Sequence, residues 1–455
     1  FAASVQVGGT TAAETVPAFL DPAAVSGLPR LSDVFEGGTM SVDITGLTSV
    51  TSYDFRIVGG ASQQNGATTT FDTTGQGGNW IECVVTHSGG TATSPAVMVY
   101  ATGHHDSMDA GIMSLMTHAE ATHIAVADGD WTAPGTWQNN KVPRNGAKVL
   151  IPHGRTITYD SNSPYTRLDR VRVDGTLTWA TNQDTAMLVD TLLGTRGSST
   201  RIGTDGNPIG AAHTADIIIS GRDCAQKGYD DTDLNTTRDA ALWSRGAIFL
   251  GNLQVAGQDS YLWGFAQPVD QGATSLTLFD TPTGWQVGDD IIIGGTKASW
   301  SSVGGETANV FNKEDETVTI TGISGKVISW TGGLTYPHKN QLAGSNRTDL
   351  YPVILRKGGK NVRFSSEVTS DIPRRGHVAV IHHMASATVK GAQFIGMGRT
   401  DKHDAAGLLE SNNTLLRIKD RAVEFGTKTE AKTARSNIMG RYSFHFHLTG
   451  TMNGI

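Results

Sequence analysis

Near the end of the chain, Gly440-Arg441-Tyr442-Ser443-Phe444-His445-Phe446-His447-Leu448-Thr449-Gly450 alternates between two classes of residue. Tyr442, Phe444, Phe446 and Leu448 fall on one side of an extended chain, and Ser443, His445, His447 and Thr449 on the other. Period two predicts a strand with one apolar and one polar face. Its two imidazoles would stand in line, about 7 Å apart. Two histidines and a leading arginine are a costly choice for a bland solvent face, and they predict a groove. Upstream, Gly376-His377 and Gly398-Arg399-Thr400-Asp401-Lys402 bring further titratable and cationic groups.

Three chemistries suit these residue types. Glycoside hydrolysis needs two carboxylates roughly 5–10 Å apart, for which Asp401, Asp404 and Glu424 are the candidates. Elimination at a uronic acid needs a cation beside the substrate carboxylate and a base for the C5 proton. Arg441, Tyr442, His445 and His447 meet that need, with Arg399, Lys402 and His377 as substrate contacts. A divalent ion on His445, His447 and Asp401 is the third option; without it no cofactor is implied. A plain structural account stands beside all three: histidines stacked between the coils of a solenoid satisfy one another, and His382 and His383 suit such a ladder or the surface.

Strands must position these groups. Of 455 residues, 55 are glycine, well above the usual share of about 7%. Charged residues are 17%, and long runs of helix formers are scarce. This composition predicts an all-β chain with many tight turns. The net charge is −7, with no basic block, so nucleic-acid binding is excluded as a working class. No apolar run reaches the roughly 18 residues of a membrane span. The chain begins at Phe1 and stops at Ile455 shortly after a strand, which reads as a fragment of a longer protein. Cys83 and Cys224 lie far apart and suit two isolated, partly buried thiols better than a disulfide.

Four stretches follow in order. Residues 1–102 alternate in short strands, such as 52–58 and 80–85, with glycine-rich turns, and predict an immunoglobulin-like β-sandwich. Residues 103–127 hold the one helical candidate, with Met108, Ile112, Leu115 and Met116 at helical spacing. Its histidines, His104, His105, His118 and His123, suit a docking helix better than a metal site. From 128 to 260, strand–turn units recur at the length of one coil of a parallel β-solenoid, and 261–455 is expected to continue as a parallel β-helix, truncated at its C-terminus.

A series of short motifs then resembles a known family. Trp131, Gly135-Thr136-Trp137, Val142-Pro143, Ile151-Pro152, Val173-Asp174-Gly175-Thr176-Leu177 and Ile202-Gly203-Thr204 are similar to the G8 (eight-glycine) domain. Downstream, residues 285–293, 316–320 and 334–338, then Asn361-Val362-Arg363-Phe364, Arg375-Gly376-His377-Val378 and the two clusters at 398–402 and 440–447, resemble the segment and right-handed parallel β-helix that follow that domain in the cell-surface hyaluronidase and hyaluronan-binding families and their bacterial and phage relatives. The resemblance covers about 128–455 and implies an extracellular, glycan-facing protein. Ser443 stands where vertebrate relatives tend to carry proline, and Thr451 where an acidic residue is common in the hyaluronidases.

Two functions follow as expectations. One is a glycan-engaging protein of the extracellular space, cell surface or virion, acting as a hyaluronidase-like depolymerase or lyase on a polysaccharide partner. The other is a structural or receptor-binding component, such as a tail fibre, tailspike or adhesin, assembled as a homo-oligomer such as a trimer.

Overall fold

The computed structural model describes residues 27–101, 111–221, 243–258, 263–296, 301–303, 306–308, 314–339, 351–357, 360–370, 372–381, 386–400, 406–409, 415–419, 422–425 and 440–447. Strands dominate them, as the composition implied. Cys224, His382, His383, Asp401, Lys402, Asp404 and the end of the alternating run from Leu448 lie outside the described residues. Of the expected helix, the described part is one turn at 111–113 and a 3-10 turn at His118–Glu120.

The first hundred residues form two sheets. Three strands, Arg30–Leu31, Thr39–Asp43 and Thr70–Asp72, make one; Val34–Phe35, Val97–Tyr100, Trp80–His87, Ser52–Ile57 and Ser62–Gly66 make the other, with Gly90–Thr93 beside Trp80–His87. Strict alternation places Ile81, Cys83 and Val85 inward, all fully buried, in a core with Met40, Phe55 and Val97. Cys83 is a buried free thiol whose pKa burial raises to about 12.

Beyond residue 122 the ladders become parallel. The chain alternates between two sheets: His123–Ile124, Lys148–Ile151, Asn162–Val173 and Thr185–Gly194 pair in sequence on the first, and Gly129–Asp130, Thr156–Tyr159, Thr176–Trp179 and Ser199–Ile202 pair on the second. Each circuit adds one strand to both sheets. The space between them is dry, filled by Val149, Val171, Leu177 and Val189, and closed at the first circuits by Trp131, Trp137, Tyr159 and Trp179. The indole of Trp137 donates to the Trp131 carbonyl at 2.7 Å, so its polar atom is satisfied inside.

The strand Thr185–Gly194 is buried at all ten positions, because both its faces are covered. It also splits the first sheet. Its first half pairs with Ala215–Ile219, followed by Val362–Ser366 and Ala392–Ile395; its second half pairs with Gly246–Phe249, followed by His377–Ile381 and His445–His447. Later circuits therefore carry three strands, with a corner where the chain passes from the first branch to the second.

A buried ionic hub joins the first two sheets to this stack. Arg172 Nη1 lies 2.7 Å from Asp33 Oδ1 and Arg172 Nε 2.9 Å from Asp174 Oδ1. His118 Nε2 bonds the other oxygen of Asp174, and Thr195 Oγ1 donates to Oδ1 at 2.7 Å. Asp174, Arg172 and His118 are all buried. Burial alone would raise the Asp174 pKa, but the charges and hydrogen bonds of Arg172 and His118 hold it well below the usual carboxylate range.

The expected run of one parallel stack from 261 to 455 is interrupted. Residues 257–361 form a separate compact unit. Its strands are antiparallel, in the order Trp263–Phe265, Val353–Lys357, Asp290–Ile293, Glu316–Ser324, Val327–Trp330 and Ser275–Thr277. A bridge between Ala266 and Leu278 joins the two end strands, so the sheet closes on itself around Leu276, Ile291, Ile320, Ile328 and Ile354. The parallel pairing resumes at Val362, beside Ala215. Period-two alternation cannot distinguish the two arrangements, since side chains alternate in both. A hairpin trio at Ala406–Leu409, Leu415–Lys419 and Ala422–Phe425 is likewise antiparallel.

Candidate functional site

The corner between the two branches gathers most of the described candidate residues. Three connections stack there. One ends in Trp243-Ser244-Arg245 and enters Gly246–Phe249; the next ends in Gly376 and enters His377–Ile381; the last runs from Gly398 through Arg399 and, after residues outside the description, Arg441 into His445–His447. Parallel register stacks the entry points: Gly246 lies beside His377, and Ala379 beside His445.

Close packing sets the residue types. A Cβ on Gly246 would lie 2.5 Å from His377 Cε1, so only glycine admits the imidazole behind it. A Cβ on Gly376 would likewise lie 2.5 Å from the Cβ of Ile219. Gly398, at φ +95°, donates its N–H to the Gly376 carbonyl at 2.7 Å. Arg245 holds φ 57°, a left-handed conformation uncommon for a residue with a Cβ and often associated with functional turns.

Arg441 and Arg399 are fixed from several sides. The Arg441 guanidinium carbon sits 3.5 Å from the centroid of the Trp243 ring, a cation–π contact. Its carbonyl accepts from Arg399 N at 2.8 Å, and its N–H donates to Thr400 Oγ1 at 3.0 Å. Arg399 Nη2 donates to the Ser244 carbonyl at 2.8 Å. Arg245, Arg399 and Arg441 are all buried. Arg399 and His377, expected as substrate contacts, therefore lie behind the surface and shape it from within.

His377 is fully buried and shares a hydrogen bond of 3.1 Å between Nδ1 and the Arg245 carbonyl. Burial and the nearby charges of Arg399 and Arg441 push its pKa well below the ordinary histidine value, so it is neutral at pH 7. His445 is half-buried, and burial followed by the Arg441 charge lowers its pKa too. Its Nε2 lies 3.1 Å from His447 Nδ1. Tyr442 packs edge-on to His445 at 5.2 Å between centroids, and His447 meets the edge of Trp243 at 5.9 Å.

The faces of this strand differ from the expectation of an apolar inner side. The strand is short, His445–His447, with both histidines half-buried and Phe446 44% exposed. Phe444 turns the other way and packs on Phe394 at 5.3 Å, against the dry interior. Buried guanidiniums make the inner side of this corner polar, so imidazoles rather than a phenyl ring turn toward it. At the surface stand Tyr442, Ser443, His445 and His447, an acid–base set over a cationic floor. For the divalent-ion option, Asp401 lies outside the description, and among the described residues no three metal-ligating side chains cluster.

Sequence reasoning missed Trp243, Ser244 and Arg245. No periodic signal marks them, and the only clue was a lone Trp-Ser-Arg before a glycine-led apolar run.

No described helix is long and apolar enough to cross a membrane. No protein with a curated description matches the chain. Among solved structures, the tailspike gp61 of Pseudomonas phage phi297 is similar over 52% of this chain and 28% of that one, at 11% identity and a TM-score of 0.19, and that likeness carries no argument. The chain thus spans well under two thirds of that tailspike. The family comparison is firmer: residues 136–265, which include the parallel strands from Lys148–Ile151 to Asn252–Ala256 and the first strand of the antiparallel unit, match the G8 domain.

Proposed function

We propose that this chain is a glycan-engaging protein of the extracellular space or a virion surface. In this reading an immunoglobulin-like sandwich leads into a G8-type solenoid and a right-handed parallel β-helix, and the corner at Arg441 acts on a uronate-containing polysaccharide by elimination. The observation that carries the reading is one juxtaposition: a half-exposed histidine with a depressed pKa, next to a tyrosine, above buried guanidiniums.

The chemistry follows from those groups. The guanidinium field of Arg441 and Arg399 favours a carboxylate at the surface above it. The tautomer of His445 that donates Nε2–H to His447 leaves Nδ1 with a lone pair. That nitrogen takes the proton from C5, the C–H electrons form the C4–C5 double bond, and the C4–O bond breaks. In this reading Tyr442 protonates the leaving oxygen. Base catalysis needs a neutral imidazole at working pH, and the lowered pKa of His445 supplies it. Hydrolysis would instead draw on carboxylates such as those at 401, 404 and 424.

A second reading has one observation in its favour. His445 and His447 hydrogen-bond each other across 3.1 Å within one strand, as a purely structural pair would, in a homo-oligomeric fibre or adhesin that binds glycan without cutting it.

The full chain, incubated with hyaluronan, alginate and chondroitin, tests both. Unsaturated uronate ends that disappear in His445→Gln and Tyr442→Phe support elimination. Saturated reducing ends would assign hydrolysis instead. Binding without any cleavage would leave the fibre or adhesin reading, and neither binding nor cleavage would sink the glycan reading.

A further inference from the structure

The closed antiparallel unit of 257–361 has an apolar outer face that its own core does not explain. Alternation sends Ile354 inward, fully buried, and turns Val353 and Leu355 outward at 36% and 41% exposure. In register beside them are Phe265 and Trp263, at 43% and 56%. In a sheet that closes around its own interior, outward residues have no core to join. A contiguous exposed apolar patch on such a surface marks a contact site.

The form of the patch identifies the contact. Trp263, Phe265, Phe279 and Tyr351 make a string of four rings with neighbouring centroids 5.8, 6.5 and 4.8 Å apart. The string is held in place: Phe265 meets the Trp263 indole at 85°, and Tyr351 meets Phe279 at 70°, edge-to-face contacts that restrain the rings before any ligand arrives. The strand that carries Trp263 and Phe265 continues to exposed Gln267, opposite exposed Thr277 and two residues from exposed Ser275. The rim on these two strands is carboxamide and hydroxyl rather than charge. A pyranose offers the complement, an apolar C–H face ringed by equatorial hydroxyls.

We propose that this face is a second glycan-binding platform, which takes the uncharged C–H face of a pyranose chain by stacking. It does not depend on the reading of the corner, which would attract its ligand by charge.

Affinity electrophoresis of the full chain through gels containing glucomannan, xylan or dextran tests the proposal. At least one of these polymers is expected to retard the wild type, and the retardation should survive high salt, since no ion pair carries it. Trp263→Ala should weaken retention at least about tenfold, as for a central aromatic anchor, and Phe265→Ala should weaken it as well. Both side chains are exposed, and an unchanged melting temperature will show that the fold is kept. His445→Gln should leave retention intact, which separates this platform from the corner. Absence of retention in all three polymers, or full retention by Trp263→Ala, would overturn the proposal. So would concentration-dependent self-association in sedimentation that Trp263→Ala abolishes, because that assigns the face to a second copy of the chain.

Discussion

Asp174→Asn should be among the most damaging conservative substitutions in the chain. The carboxylate is fully buried and accepts from three donors: Arg172 Nε at 2.9 Å, Thr195 Oγ1 at 2.7 Å, and the Nε2 of His118. A carboxamide has the same shape but presents an NH2 group to one of those donors. It also removes one of the two anions that neutralise the buried Arg172, leaving Asp33 at 2.7 Å as the other. Breaking a buried ion pair from one side typically costs about 3–5 kcal/mol. At roughly 2–4 °C per kcal/mol for a domain of some 200 residues, the melting temperature should fall by on the order of 10 °C. Scanning calorimetry of the full chain with circular dichroism measures this. The pH dependence has a defined sign. A depressed folded pKa means stability that is present above the unfolded carboxylate value, about 3.9, and lost as pH falls through the folded one. The gap between wild type and variant should thus be flat from pH 5 to 7 and shrink below about pH 4. A loss under about 1 kcal/mol, the worth of a single neutral hydrogen bond, or a gap that widens on acidification, would refute the account of the hub.

Two further outcomes follow from the same reasoning. His377 is neutral when folded and takes a proton when unfolded, so wild-type stability should fall as pH drops below the unfolded histidine value, about 6.5, by up to roughly 1.4 kcal/mol per pH unit; urea titrations from pH 7.5 to 5 should give a shallower slope for His377→Gln, and equal slopes would argue against burial as the cause. Gly175→Ala places a methyl 2.3 Å from the Pro152 carbonyl and 2.4 Å from that of Arg155; because both neighbours are backbone, the variant should be destabilised by more than about 2 kcal/mol, and soluble protein melting as wild type would contradict the tight turn.

Much of the architecture could be read from the residues because strand patterning is local. Trp80–His87 alternates buried and part-buried as its sequence does, and the all-apolar stretch within Thr185–Gly194 is what a strand covered on both faces looks like. The corner motifs were also legible, since Gly376, Gly398 and Gly440 announce turns beside titratable groups. What escaped depends on long-range geometry. The antiparallel unit at 257–361 uses the same alternation as the parallel circuits around it. The orientation of His445 and Phe446 depends on guanidiniums contributed by residues 245, 399 and 441, far apart in sequence. Trp243 gains its place from Arg441, almost two hundred positions later.

The inserted unit has its two ends side by side: the N–H of Gln258 donates to the side-chain oxygen of Asn361 at 2.7 Å. The chain leaves one parallel ladder at Ala256 and rejoins the stack at Val362. Such an arrangement is an exchangeable cassette. An ancestor with a short loop at this seam could accept a hundred-residue module, or trade it for another, without re-registering any rung on either side. A module can then be exchanged at a single seam, while the strand pairings upstream and downstream of it keep their register.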